Sequence, residues 1–170
     1  MIKRAIAGSL TAERLRELVA YNPESGDFTW LVRRNNHVKA GDVAGNLHSS
    51  GRRQIMIDGR NYKAHRLAVL YVHGRFPSAE TDHINGQPDD NRWANLREAS
   101  KSENQQNQRN AQSNNKSGFL GVSWHAQTKK WRAQIGLNKK RIYLGLFSTA
   151  EEAHQAYLTA KRELHSYCTI

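Results

Sequence analysis

The sequence predicts an α+β chain in two parts. A small N-terminal helix and β-hairpins lead into a short strand–strand–helix core, and a three-stranded antiparallel sheet packed on one helix completes the chain. Three observations predict this. Short apolar runs alternate at period two between Gly, Asn and Asp turns. The stretches with helical spacing are few, and only the last is long. A polar stretch, "AQSNNKSG" at 111–118, separates two segments of different character. A length of 170 residues suits one ordinary domain or two small ones.

Thr11 can cap a short helix reaching Ala20, with Leu15, Leu18 and Val19 as its apolar face. "NPESGD" (22–27) is turn chemistry and "FTWLV" (28–32) a strand. "RQIMI–DG–RNYKA" reads as a hairpin, because Asp58-Gly59 accepts the positive φ angles of a two-residue turn. Leu67 to Val72 reads as a helix ending near Gly74. After "TDHINGQPDDNRWANLR" (81–97), Ser100 or Ser102 can cap a helix through roughly Asn110. Strands are expected at Phe119–His125, Trp131–Leu137 and Arg141–Phe147. A final helix is expected over about 150–165, with Ser148 and Glu151 at capping-box spacing. Its stripe of Ala153, Ala156, Tyr157, Ala160 and Leu164 is core packing rather than a groove.

Charge narrows the partner. The formal net charge is +11, which points to a polyanion, most commonly DNA or RNA. Residues 111–150 hold seven Lys/Arg and no acid, and 31–75 hold nine basic residues against two acidic ones. Between these arms, 80–104 carries Glu80, Asp82, Asp89, Asp90, Glu98 and Glu103. That pattern suits a cation site flanked by phosphate-binding arms. Arg52, Arg53, Arg60 and Lys63 either touch nucleic acid or form a solvated face, and both readings stay open. The single cysteine, Cys168, excludes an internal disulfide and a Cys-rich zinc site. No apolar run has the length of a signal peptide or a membrane span. A soluble, cytoplasmic, non-secreted protein with no membrane partner is the expectation.

Phosphodiester hydrolysis needs an activated water and stabilised charge on the phosphate and leaving oxygen. A histidine base suits the first need, and a hard cation with oxygen ligands suits the second. Asp82 and His83 supply a carboxylate beside an imidazole. An amide oxygen from Asn104, sharing a helix face with Asn107, could complete a sparse, water-rich site. The alternative is that Asp82 only orders its loop and His83 is structural. Arg92 and Arg97 either contact phosphate or pair with Asp89, Asp90 or Glu98. His65, in "AHRLA", either touches DNA or caps the adjoining helix.

His83, then Asn95 twelve positions on, then Asn104 nine further, resembles the HNH nucleases, whose ββα-metal core is two strands and a helix. The preceding "HRLAVLYVHGRFP" resembles their phage-type members. The resemblance implies a metal-dependent DNA endonuclease, of the homing kind found in phages. It implies that His83 is the general base, that Asp82 and Asn104 hold the metal, and that Asn95 braces the loop carrying His83. Asn104, where many members have His, favours Mg²⁺ or Mn²⁺, one ion per site, over a nitrogen-loving Zn²⁺. The Cys₄ zinc clamp of many members has no ligands here, so no structural zinc is expected.

In the last segment, Trp131, Ala133 and Ile135, with Ile142, Leu144 and Leu146, are expected to face the helix. Arg132, Gln134, Arg141 and Tyr143 are expected to face outward with Ser123 and His125, and Lys129, Lys130, Lys139 and Lys140 lie in the turns. Such a face can enter the major groove while the turns meet phosphate. "GFLGVSW…KKWRAQI…KRIYLGLFSTAEEAHQAYLTA" resembles the plant ethylene-response-factor (APETALA-type) DNA-binding domain. By that resemblance Gln134, Arg141 and Tyr143 occupy DNA-facing positions. Leu120, Ser123 and His125 stand where the plant domains carry Arg, so the recognised sequence does not carry over. The organisation expected is therefore 1–110 for the hairpins and nuclease core (core about 65–110), 111–118 for the linker and 119–170 for the DNA-binding domain. Double-stranded DNA is the expected partner of a monomer, with a dimer as the alternative. The rival function is a sequence-specific DNA-binding regulator with a vestigial nuclease site.

Overall fold

The computed structural model describes residues 10–112 and 114–170; the first nine residues and Ser113 of the expected linker lie outside them. Among the described residues are four α-helices and ten strands in four small sheets. Contacts divide the chain into two compact units between Glu98 and Ala99.

In the first unit, Thr11 caps α1 (Ala12–Leu18) by accepting the Arg14 N–H. The helix is shorter than its apolar pattern predicts. Val19 leaves helical geometry at φ −138° and starts β1 (Val19–Tyr21), which pairs with β2 (Phe28–Trp30) as Val19↔Trp30 and Tyr21↔Phe28. Pairing buries Val19 and Tyr21 on one face, and this tertiary gain overrides the helical spacing. β3 (Asn46–Leu47) joins β4 (Arg53–Ile57) and β5 (Arg60–Lys63), whose turn carries Asp58 at φ 47° and Gly59 at φ 80°. α2 (Ala64–His73) ends at Gly74 in the left-handed conformation. Leu15, Phe28, Ile55, Ile57 and Leu67 are fully buried between these elements and form the core. β6 (Glu80–His83) then pairs with β7 (Leu96–Ala99), with a 3-10 turn at Trp93–Asn95 between them.

The second unit opens with α3 (Lys101–Gln106), where Ser100 and Glu103 form a capping box. The helix ends at Gln106, short of Asn110. Segment 99–110 groups with the C-terminal residues: Lys161 donates to the Gln108 carbonyl, and Thr169 Oγ1 donates to Asn107 Oδ1 at 2.6 Å. Asn115 and Ser117, in the expected linker, are bonded to the residues that lead into the C-terminal sheet; Asn115 Nδ2 donates to the Phe119 carbonyl and Ser117 Oγ to the Val122 carbonyl. The antiparallel sheet β8 (Val122–His125), β9 (Lys130–Leu137) and β10 (Lys140–Phe147) packs on α4 (Ala150–Leu164).

Three expectations for this unit are corrected. The N-cap of α4 is Thr149, boxed with Glu152, one residue beyond the predicted pair. Leu164 of the predicted stripe is 36% exposed, and Lys161 is buried instead. The parity of β10 also changes midway. A bulge between Tyr143 and Gly145 puts Leu146 opposite Arg132 and Phe147 opposite Trp131. Phe147 therefore packs toward the helix, and Leu146 shares the face of Arg132. Gly145, at φ 137°, is the residue that permits the bulge.

Candidate active site

β6 places Thr81, Asp82 and His83 in the interior of the first unit, each no more than 6% exposed. A strand whose two faces are both covered buries adjacent side chains, which is how Asp82 and His83 are both enclosed despite opposite directions. Asp82 Oδ2 accepts from Arg97 Nη2 at 2.7 Å and Nε at 2.9 Å. Arg97 lies on the paired strand β7, so a buried carboxylate meets a guanidinium across the sheet. Its partner is thus Asp82, not Asp89, Asp90 or Glu98. Arg92 pairs with Asp90, and Glu98 pairs with Arg75.

The loop after His83 closes on Asn95. Gly86 N–H donates to the His83 carbonyl, and Ile84 N–H donates to the Asn95 carbonyl at 2.9 Å. The Asn95 side chain accepts from Asn85 N–H at 2.9 Å and donates through Nδ2 to Asn85 Oδ1 at 3.0 Å and to the Asp90 carbonyl at 2.7 Å. One amide therefore spans both limbs of the loop. Asp90 is a turn residue: it accepts from Asn85 Nδ2, and the Arg92 guanidinium pulls its carboxyl down to about 2. Asp89 pairs with Arg53 at 3.1 Å, so one of the four N-terminal basic residues is spent on this loop.

Two neighbours of His83 have no signal in the sequence that places them beside it. Asn91 is 2% exposed, and its Oδ1 lies 3.2 Å from His83 Nε2. In the sequence it is one more polar residue in a turn-rich run. His65, neither an exposed DNA contact nor a cap, is 4% exposed on α2, with its ring edge-on to His83 at 5.0 Å between centroids. Burial lowers the pKa of His83, against the opposing hydrogen bond to Asn91. Burial, then the nearby His83, Arg52, Lys63 and Arg66, pull His65 down to about 3 from 6.5.

His65 thus stays neutral in the folded chain while it charges in the unfolded one as pH drops. The stability it confers is whole above pH 6.5 and is lost as pH falls from there toward about 3. At about 1.4 kcal/mol per pH unit, roughly 2–3 kcal/mol goes by pH 4.5. Urea melts at pH 7 and pH 4.5 should therefore show His65→Phe losing less stability than wild type by about that amount. Equal losses would remove His65 from the acid response.

Asp82 lies in the first unit and Asn104 on α3 of the second. A carboxylate and an amide oxygen are each donors of the type a hard divalent cation takes, and the Asp82 carboxylate accepts from Arg97. Among the described residues, no group of three or more His, Cys, Asp or Glu side chains is gathered to hold a metal. Among the outward residues of the C-terminal sheet, Arg132 lies opposite Ser123 and Gln134 opposite Tyr143. Arg141 and Tyr143 are exposed, as are Lys129, Lys130, Lys139 and Lys140 at the strand ends. No helix among the described residues is long and apolar enough to cross a membrane.

Comparison with known proteins bears on both units. No curated protein matches the chain. A solved structure, of DNA binding and cleavage by the HNH homing endonuclease I-HmuI, aligns at 21% identity and a TM-score of 0.40 over 54% of this chain. The alignment spans about half (51%) of that protein's length. Residues 62–106 match the family model described as HNH endonuclease, and residues 117–167 match the AP2 domain. Asp82, His83, Asn95 and Asn104 all fall inside the first match, and Arg132, Gln134, Arg141, Tyr143 and the four turn lysines fall inside the second. The chain thus carries a segment similar to HNH endonucleases, residues 62–106, followed by one similar to the AP2 domain, residues 117–167.

Proposed function

We propose that the chain is a metal-dependent DNA endonuclease of the phage homing type, with residues 1–110 as hairpins and nuclease core and 119–170 as the DNA-binding domain. The observation that carries the reading is the buried Asp82–His83 pair at the mouth of a loop braced by Asn95, inside the matched segment. His83 takes a proton from the attacking water. Its burial supports this role, because a base must be neutral at working pH. Asp82 and Asn104 would hold Mg²⁺ or Mn²⁺, which when bound supplies positive charge to the phosphate and the departing 3′-oxygen. Arg97 holds the Asp82 carboxylate in one orientation. Asn95 keeps the loop closed and does no chemistry. The sheet face of Arg132, Gln134, Arg141 and Tyr143 and the turn lysines position the duplex, in line with a +11 chain.

Supercoiled plasmid and source genomic DNA, incubated with Mg²⁺ or Mn²⁺, should be nicked or linearised, and EDTA should stop it. Asp82→Ala should lose the metal-stimulated rate by roughly a hundredfold or more while still binding duplex. No cutting with any divalent metal on either DNA, alongside tight site-specific binding, would favour the regulator.

A further inference from the structure

We infer that Asn91 is a positioning residue that decides which nitrogen of His83 carries the proton, and so which nitrogen receives one from water. The inference rests on His83 being the base. Asn91 is held from three sides. Its Nδ2 donates to the Asp89 carbonyl at 3.0 Å, its N–H donates to the same carbonyl, and its own carbonyl accepts from the Tyr21 hydroxyl at 2.7 Å. Flipping the amide would set Oδ1 against the Asp89 carbonyl, two acceptors facing each other. Oδ1 must therefore be the atom facing His83 Nε2 at 3.2 Å. A carbonyl oxygen only accepts, so Nε2 carries the hydrogen and Nδ1 is left with the lone pair.

The chain of support runs far in sequence. Tyr21 is on β1, 7% exposed, and its hydroxyl hydrogen bond spans seventy residues to reach Asn91. The turn after it adds a second tie, since Trp93 N–H donates to the Pro23 carbonyl at 2.8 Å. The N-terminal β1–β2 hairpin is therefore what aims the amide, and the amide aims the imidazole. A base presenting the wrong nitrogen has its proton where its lone pair should be, which costs rate and not binding.

The test reads the tautomer directly. The full chain is labelled with ¹⁵N-histidine, and long-range ¹H–¹⁵N spectra are assigned to His83 by its loss in His83→Ala. Wild type should show protonated Nε2 and unprotonated Nδ1. Asn91→Asp, which keeps an oxygen accepting from Nε2 but gives up the Nδ2 donor to the Asp89 carbonyl, should keep the proton on Nε2 and cut the wild-type duplex within about tenfold of the normal rate. Asn91→Leu, which keeps the volume and removes the acceptor, should mix the tautomers and lower kcat roughly a hundredfold with KM little changed. A proton on Nδ1 of His83 in wild type overturns the inference, as does an Nε2 without one in Asn91→Asp or a folded Asn91→Leu cutting at the wild-type rate. Should Asn91→Leu fail to fold, the wild-type and Asn91→Asp spectra decide. An active His83→Ala would remove the base assignment and with it the catalytic meaning of Asn91. An inactive His83→Ala with Nδ1–H in wild type overturns the role of Asn91 alone.

Discussion

His83→Ala is expected to cut DNA roughly a thousandfold more slowly than wild type, the middle of the range for losing a positioned general base. Binding to the same duplex should be nearly unchanged, because a buried, neutral imidazole contributes no phosphate contact. The variant leaves Asn91 Oδ1 without its His83 partner, so a stability loss of about 1–3 kcal/mol accompanies it. That loss is small enough to separate from activity by melting the variant alongside the cleavage assay. A His83→Ala chain that cleaves at the wild-type rate would move the base to another residue and dismantle the proposed mechanism.

Gly26→Ala carries the second large effect, far from His83 in sequence. Gly26 sits in the β1–β2 turn at φ 81°, and a Cβ built there would lie 2.4 Å from Arg92 N and 2.5 Å from the Asn91 carbonyl carbon. Both obstacles are backbone, so no side-chain rotation relieves them. Overpacking of about 1–3 kcal/mol adds to about 1–2 kcal/mol for the left-handed conformation, giving roughly 4 kcal/mol of destabilisation in urea melts. The material that folds should also cut poorly, because relief of the clash displaces Asn91. Gly74→Ala is the control: its φ is 73°, but nothing lies within 4 Å of the added carbon. It should cost only the conformational part, about 1–2 kcal/mol. Equal costs at the two glycines would mean that the turn and the Asn91 loop are not packed as described.

Much of the architecture is local and therefore readable from sequence. Asp58-Gly59 specifies its hairpin turn, Gly74 ends α2, and Ser100 with Glu103 starts α3, each through chemistry within a few residues. The spacing of His83, Asn95 and Asn104 is likewise a property of the chain alone, and it falls inside the matched HNH segment. Where local signals compete, the sequence misleads. Val19 has helical spacing but is taken by pairing with Trp30. In β10, strict alternation mistakes the direction of Leu146 and Phe147, because one extra residue at a bulge reverses parity and only the pairing of two strands reveals it.

The site divides the same way. Sequence by itself singled out Asp82 and His83 as candidates for the chemistry, and Asn95, whose side chain hydrogen-bonds across their loop. Their surroundings came from tertiary structure. Arg97 reaches Asp82 across a sheet, His65 meets His83 from helix α2, and Asn91 is held by Tyr21 across seventy residues of chain. The physical reason is range. Turn and cap chemistry acts over three or four residues and leaves a pattern in the sequence, whereas an ion pair, a ring contact or a buried amide depends on distances in space that no local spacing encodes.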